Sequence, residues 1–329
     1  MRYLSKSWTL AVLAALTLGL GAQAATLQLV RETKISALGV ASLPGNEYEA
    51  SGVTSQGDYL YVIFDNSYRI LKVKPDWTSP SLTTVSSDGN SQYEAITYDA
   101  QGTPHFYAMV ESASHNGKNT GKLDQYSASL TGRSGQWTDV TFKSSNKGFE
   151  GAAWLWNCPT GSSQGDDYIL GLCEANGCDG GDPGNGRIKV LAQQGSSWNL
   201  ISNGTLSIPS TANFGDYSDI ALYPPFPITN DCSGLGGDGT GLYTVAVVSQ
   251  ESSQLWIGTF NAKTWTFSGN GTVYDFPKDS QGRTVYCNVE GVTFLSDNQI
   301  AVASDAKKSS QPSECSTEDQ SLHIFNIPQ

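Results

Sequence analysis

The chain is short of histidine, of basic clusters and of helical periodicity. Its three histidines, His105, His115 and His323, are scattered over 329 residues, and none of its six cysteines falls in a C-x-x-C pair. That pattern argues against a zinc site. Nineteen Lys and Arg stand against 31 Asp and Glu without forming a basic cluster, which makes a nucleic acid a poor partner. No stretch repeats its apolar residues with a period of 3.6, so helices are not expected. Beyond residue 24 no long apolar run remains to enter a membrane.

What is present begins with a leader. "MRYLSKS" carries Arg2 and Lys6, "WTLAVLAALTLGLG" is apolar but short for a bilayer, and Ala22-Gln23-Ala24 has the A-x-A cleavage pattern. Residues 1–24 are read as a secretory signal peptide and 25–329 as a single secreted, monomeric domain. The formal charge of −12 becomes −14 once Arg2 and Lys6 are removed. An even number of cysteines in an exported chain reads as disulfides. Asn203-Gly204-Thr205 and Asn270-Gly271-Thr272 are sequons, which would make the chain a glycoprotein in a host with that machinery.

Short alternating or β-branched runs, separated by Gly, Asn, Asp, Ser and Pro, fill the remainder. They fall into sets of four that start at Ser51, Glu94, Glu150, Ser218 and Glu290. The last set has only three, "EGVTFL", "QIAVASD" and "SLHIFNI", and the leftover N-terminal run "TLQLVRETKIS" supplies its outer strand. The expectation is an all-β five-bladed β-propeller of four-stranded blades, closed by the N-terminal strand. A two-sheet sandwich needs about seven to nine strands, far fewer than are found.

Alignment of the sets puts Ser51, Glu94, Glu150, Ser218 and Glu290 at one position of the innermost strand, so the five side chains should form a ring about the axis. Three carboxylates about 5 Å apart at an effective dielectric near 20 repel by about 3 kcal/mol per pair. They can protonate, bond to backbone amides or share a cation. Hard oxygen ligands point to Ca²⁺ as the cofactor, with these five residues as its metal set. The bland reading is a solvated polar channel in which each glutamate ties its blade to the next.

This ring resembles that of the soluble calcium-activated nucleotidases, or apyrases. "NVEGVTFL" looks like that family's last inner strand, and "SGVT" and "SDIA" like its serine-bearing strands. The resemblance implies a five-bladed propeller with an axial calcium. "LYVIFDNSYRILKV" resembles, more weakly, a blade of the esterase-like phytase propellers.

Second strands end in Asp65, Glu111, Glu174 and Asp305, and third strands begin with Arg69, Lys122 and Arg187. Acids facing bases across a turn are commonly surface pairs worth under about 1 kcal/mol. The functional reading places Arg69, Lys122 and Arg187 around a phosphate or uronate, with Asp65 or Glu174 positioning a water or acting as general base. The loop "LCEANGCDGGDPGNGR" should be stapled by Cys173 and Cys178. The other pairings expected are Cys287–Cys315 and Cys158–Cys232.

The leading expectation is a calcium-dependent hydrolase of an anionic phosphoanhydride or phosphoester. One alternative is a carbohydrate-active propeller, a glycosidase or uronate lyase, with Glu94, Glu150 and Glu290 as acid, base and pKa modulator. The other is a non-catalytic lectin or adhesin with structural calcium. The partner is thus an anionic small molecule or a glycan, not a nucleic acid or a membrane.

Overall fold

Alternation of apolar and polar residues, broken every few residues by a turn former, yields strands throughout. The computed structural model describes residues 24–43, 45, 47–101, 103–145, 147–157, 166–174, 178, 187–224 and 241–328. The signal-peptide reading and the Cys158–Cys232 pairing lie outside the described residues.

Two short strands come first, β1 (Ala25–Thr26) and β2 (Gln28–Lys34). A first antiparallel meander follows, β3 (Ala50–Gln56), β4 (Tyr59–Phe64), β5 (Ser67–Val73) and β6 (Ser81–Thr84). The second is β7 (Tyr93–Asp99), β8 (His105–His115), β9 (Lys118–Ser127) and β10 (Ser134–Phe142). The third is β11 (Phe149–Asn157), β12 (Asp166–Cys173), β13 (Arg187–Gln194) and β14 (Ser197–Ser207). The fourth is β15 (Asp219–Tyr223), β16 (Leu242–Ser249), β17 (Gln254–Asn261) and β18 (Thr266–Asp275). The last comprises β19 (Val289–Ser296), β20 (Gln299–Ser304) and β21 (Ser321–Asn326), with β2 antiparallel to β21 at its outer edge.

The first strands of the meanders pack side by side in sequence order, and β19 lies beside β3 as well as β15. Buried apolar residues form clusters that each span two consecutive meanders. Tyr61 and Phe106 join the first to the second, Trp154 and Trp198 lie between the second and third, and Leu170 and Trp256 between the third and fourth. Phe276 and Phe325 join the fourth to the last, and Val53 and Ile324 join the last back to the first. The molecule is all-β and propeller-like.

Two features depart from the expected pattern. β10 and β14 pair in parallel at Trp137–Ser197 and Thr138–Trp198, which joins the second and third meanders into one eight-stranded sheet. The N-terminal run does not serve a single sheet. Ala25 and Thr26 pair in parallel with Tyr274 and Asp275 of β18, Leu27 is buried, and only from Gln28 does the chain cross to β21. A buried leucine between the two segments, worth about 1.5–3 kcal/mol, adds to the ladder bonds on either side in holding the crossing.

Small residues allow the first strands to approach. A Cβ on Gly291 would lie 2.8 Å from Val53 N, and one on Gly52 would lie 2.9 Å from Ala95 Cα. These glycines immediately follow Glu290 and Ser51, so the carboxylate or hydroxyl sits where neighbouring backbones are nearest.

Candidate active site at the carboxylate-lined mouth

The ring positions share a backbone device. Ser51 is skipped between the pairs Ala50–Phe64 and Gly52–Ile63, and Glu94 between Tyr93–Val110 and Ala95–Met109. Glu150 is skipped between Phe149–Cys173 and Gly151–Leu172, and Glu290 between Val289–Ser304 and Gly291–Ala303. Each is the extra residue of a β-bulge, which leaves it out of the ladder and re-aims its side chain. Ser218 stands one residue before β15, its N–H donating to Val248 O at 2.9 Å.

The two serines are engaged by backbone. Ser51 Oγ donates to Tyr93 O, and Ser218 Oγ accepts from Gln250 N at 3.1 Å. The three glutamates retain some accessible surface deep in the fold and act on one another. Burial, then the charges of Glu150, Asp65 and Glu290, pushes the Glu94 carboxyl well above its ordinary range. Burial, then Glu174 and Glu111, does the same to Glu150, and burial, then Asp305, to Glu290.

Residues just past β4, β12 and β20, and Glu111 at a break in the β8 ladder between Val110 and Ala113, converge on this ring. Glu111 is pushed up to about 7 by burial and by Glu174, and Asp305 to about 7 chiefly by burial. Asp65 and Asp216 are also raised, chiefly by burial. Two lysines bring countercharge: Lys147 is paired with Glu174 Oε1, and Lys308 Nζ lies 3.9 Å from Glu290 Oε1. A cleft of about 470 Å³ opens above, lined by Lys147, Glu174, Asp216, Gln250, Lys308 and Gln311 among others.

Asp65 and Glu174 are therefore brought to the ring. Arg69 and Lys122 are not. Arg69 donates to Ser42 O at 2.8 Å, and Lys122 Nζ lies 2.8 Å from Asp124 Oδ1 with its charge beside Trp137. Arg187 opens β13 opposite Ser207. Sequence reasoning missed Lys147, Lys308 and Asp216. Each lies two or three residues from an acid or serine already singled out, namely Glu150, Asp305 and Ser218, and that proximity was the available signal. His115 stacks on Trp137 with centroids 4.1 Å apart, and Trp154 and Trp156 are buried packing residues.

Disulfides hold the two loops that frame the cleft. Cys173 and Cys178 are bonded with Cα atoms 4.7 Å apart, next to Glu174, and Cys287 and Cys315 with Cα atoms 5.4 Å apart. Both pairings agree with the sequence expectation.

The donor chemistry suits a hard cation. Among the described residues, Glu111, Glu150 and Glu174 each offer a carboxylate oxygen within 4.8 Å of the others. Glu174 Oε2 is buried and has no hydrogen-bond partner. An orphaned carboxylate oxygen beside two further carboxylates fits Ca²⁺, which takes oxygen ligands in flexible geometry.

No family model matches the sequence. No curated protein matches it either. Among solved structures, the chain is similar to a GH43_1 enzyme from Xanthomonas citri, with a TM-score of 0.51 at 10% identity over 86% of this chain and 88% of that one. The same enzyme complexed with xylose gives 0.50 at 10% identity over 84% and 86%. Glutaminyl cyclase from Myxococcus xanthus gives 0.47 at 9% identity over 92% and 98%. At such identity the likeness to the GH43_1 enzyme is one of fold. None of these three is a nucleotidase or a phytase.

Proposed function

We propose that the chain is a secreted five-bladed β-propeller, closed by its N-terminal strand, that acts on a glycan at the carboxylate-lined mouth. The observation that carries this reading is the charge balance of the site. Among the described residues, eight carboxyls, those of Asp65, Glu94, Glu111, Glu150, Glu174, Asp216, Glu290 and Asp305, face Lys147 and Lys308 as the cations that bear most directly on them. A neutral polyol tolerates such a surface, whereas a phosphoanhydride would be repelled. Structures of a glycoside hydrolase with the same fold, one of them holding xylose, support the substrate class.

Glycoside hydrolysis needs one protonated and one ionised carboxyl. Glu290 and Asp305 are one pair that their surroundings part: Glu290 is driven well above its ordinary range with Asp305 as the largest charge acting on it, and Asp305 is pushed up to about 7. Glu290 would donate its proton to the departing glycosidic oxygen, and Asp305 would take a proton from the attacking water. Glu111, Glu150 and Glu174 would hold Ca²⁺. When bound, the ion offsets their repulsion and supplies positive charge for substrate oxygens.

The test is an assay of the mature protein against aryl glycosides, pentose and hexose oligosaccharides, and nucleotides, with Ca²⁺ and with chelator. Hydrolysis of a glycoside that is lost in Glu290→Gln supports the reading, and turnover of nucleotides alone sinks it. A second reading has its own observation. Lys147 and Lys308 both line the cleft, so a calcium-assisted hydrolase of an anionic substrate is the runner-up.

A further inference from the structure

A second group of ligand-type side chains lies away from the mouth, where the two chain termini meet. Glu32 of β2 and His323 of β21 are directly opposed across the ladder, and Glu318 approaches from the loop before β21. We propose that Glu32, Glu318 and His323 form a site for a borderline divalent transition metal of the zinc class, clipping the N-terminal strand to the C-terminal one.

The geometry carries this. His323 is fully buried, yet its Nδ1 has no hydrogen-bond partner. That atom faces Glu32 Oε2 at 3.7 Å and Glu318 Oε2 at 3.8 Å, too far for hydrogen bonds. Donors around a four-coordinate zinc ion with bonds of about 2.0–2.1 Å stand about 3.3 Å apart. The observed separations are within about half an ångström of that edge. All three ligand atoms lie within 4.8 Å of one another. One imidazole and two carboxylates are a zinc-type donor set rather than a calcium one.

The surroundings are those of a prepared ligand. His323 Nε2 lies 3.4 Å from Ser304 Oγ, and in the tautomer whose Nε2–H donates to that hydroxyl Nδ1 carries the lone pair. Tyr286 meets the imidazole edge to face, with ring centroids 5.0 Å apart. The Cys287–Cys315 disulfide fixes both the segment that carries Tyr286 and the loop that carries Glu318. Two carboxylates and a buried, unpartnered imidazole nitrogen converge on one point. Glu32 is 44% exposed in its side chain, which gives an ion a way in and leaves a coordination position for water.

The mature protein is stripped with chelator, returned to excess Ca²⁺ to occupy oxygen-only sites, and titrated with Zn²⁺ and with Co²⁺. One equivalent should bind, the Co²⁺ form should show the intense visible absorption of a four-coordinate centre, and the melting temperature should rise. Glu32→Gln, at a half-exposed position, should weaken Zn²⁺ binding at least about tenfold with an unchanged circular dichroism spectrum. His323→Gln should abolish the Co²⁺ spectrum. Should His323→Gln fail to fold, Glu32→Gln alone still decides. Zn²⁺ affinity that is absent, or equal in Glu32→Gln and wild type, overturns the site. So does a strand pairing strengthened only by mild acid and indifferent to metal, which would make the cluster an imidazolium–carboxylate ion pair.

Discussion

Asp219 of β15 accepts the backbone amide of Val292 in β19, its Oδ2 2.9 Å from the nitrogen, while Oδ1 takes the amide of Ile220 at 2.8 Å. The carboxylate occupies the position that follows a ring residue, where the other meanders carry Gly52, Ala95, Gly151 and Gly291. Burial pushes its carboxyl up, and the amides of Val292, Ile220 and Ala152 pull it down. Asp219 thus acts as a spoke that joins inner strands of neighbouring meanders. Asp219→Ala should cost about 3 kcal/mol, because it orphans buried amides, and Asp219→Asn less. Urea denaturation reads both, and an unchanged midpoint in the alanine variant would rule out the clamp.

The raised carboxyls set a pH dependence for the metal-free protein. Glu111 and Asp305 titrate at about 7 when folded, above the ordinary carboxylate range, so the native state binds more protons than the unfolded state between about pH 4 and pH 7. Stability therefore falls as pH rises through that window and levels off above it. Chelated protein should be about 5 kcal/mol less stable at pH 8 than at pH 5. Denaturation at the two pH values checks the sign, and greater stability at pH 8 would refute it.

Calcium should reverse that loss. Binding to Glu111, Glu150 and Glu174 demands their ionised forms, so millimolar Ca²⁺ should raise the melting temperature most at pH 8. Glu150→Gln should blunt the rise, since it turns one of the three clustered carboxylates into a neutral amide. A melting curve that neither calcium nor chelator moves would dismiss the cation.

A buried charge network stabilises the second meander. Asp124 is wholly buried, Lys122 Nζ and Arg133 Nε lie 2.8 and 2.9 Å from its two oxygens, and Tyr93 Oη donates to Oδ2 at 2.8 Å. Removing the acid takes the carboxylate from Lys122 and leaves Arg133 with only the exposed Asp88, 2.8 Å from its Nη1. Asp124→Asn should destabilise by about 3–5 kcal/mol. Replacing Lys122 by Met should cost less, because Arg133 and Tyr93 remain. Equal midpoints for the Asn variant and wild type would contradict the network.

Much of the site was legible because it repeats. The spacing of Glu94, Glu150 and Glu290, with a small residue after each, reports both the first-strand position and the close backbone approach. The cysteines near Glu174 and beside the last meander could be paired on the same grounds. Side-chain direction was not legible in this way. Strand neighbours alternate in face, so the end of a strand does not say where Lys122 points, although Asp124 two residues on shares its face. The N-terminal run could be placed against the last meander, but not in the register that sets Glu32 opposite His323, because no local spacing encodes it.

The nature of the substrate turns on Lys308. Its Nζ lies 3.3 Å from Gln250 Oε1 and 3.9 Å from Glu290 Oε1, at the edge of the cleft. Its charge holds the Glu290 and Asp305 carboxyls lower than burial alone would. Lys308→Met should therefore move the pH–rate profile of a glycosidase to higher pH, as both carboxyls keep their protons longer. KM for a neutral glycan should change by less than about threefold, because no charged contact to substrate is lost. An anionic substrate behaves differently. Losing a charge-assisted contact of about 1.5–3 kcal/mol raises its KM roughly tenfold or more and leaves the profile secondary. A shifted profile with KM held supports the glycan, whereas a large rise in KM with little shift transfers the assignment to the anionic hydrolase.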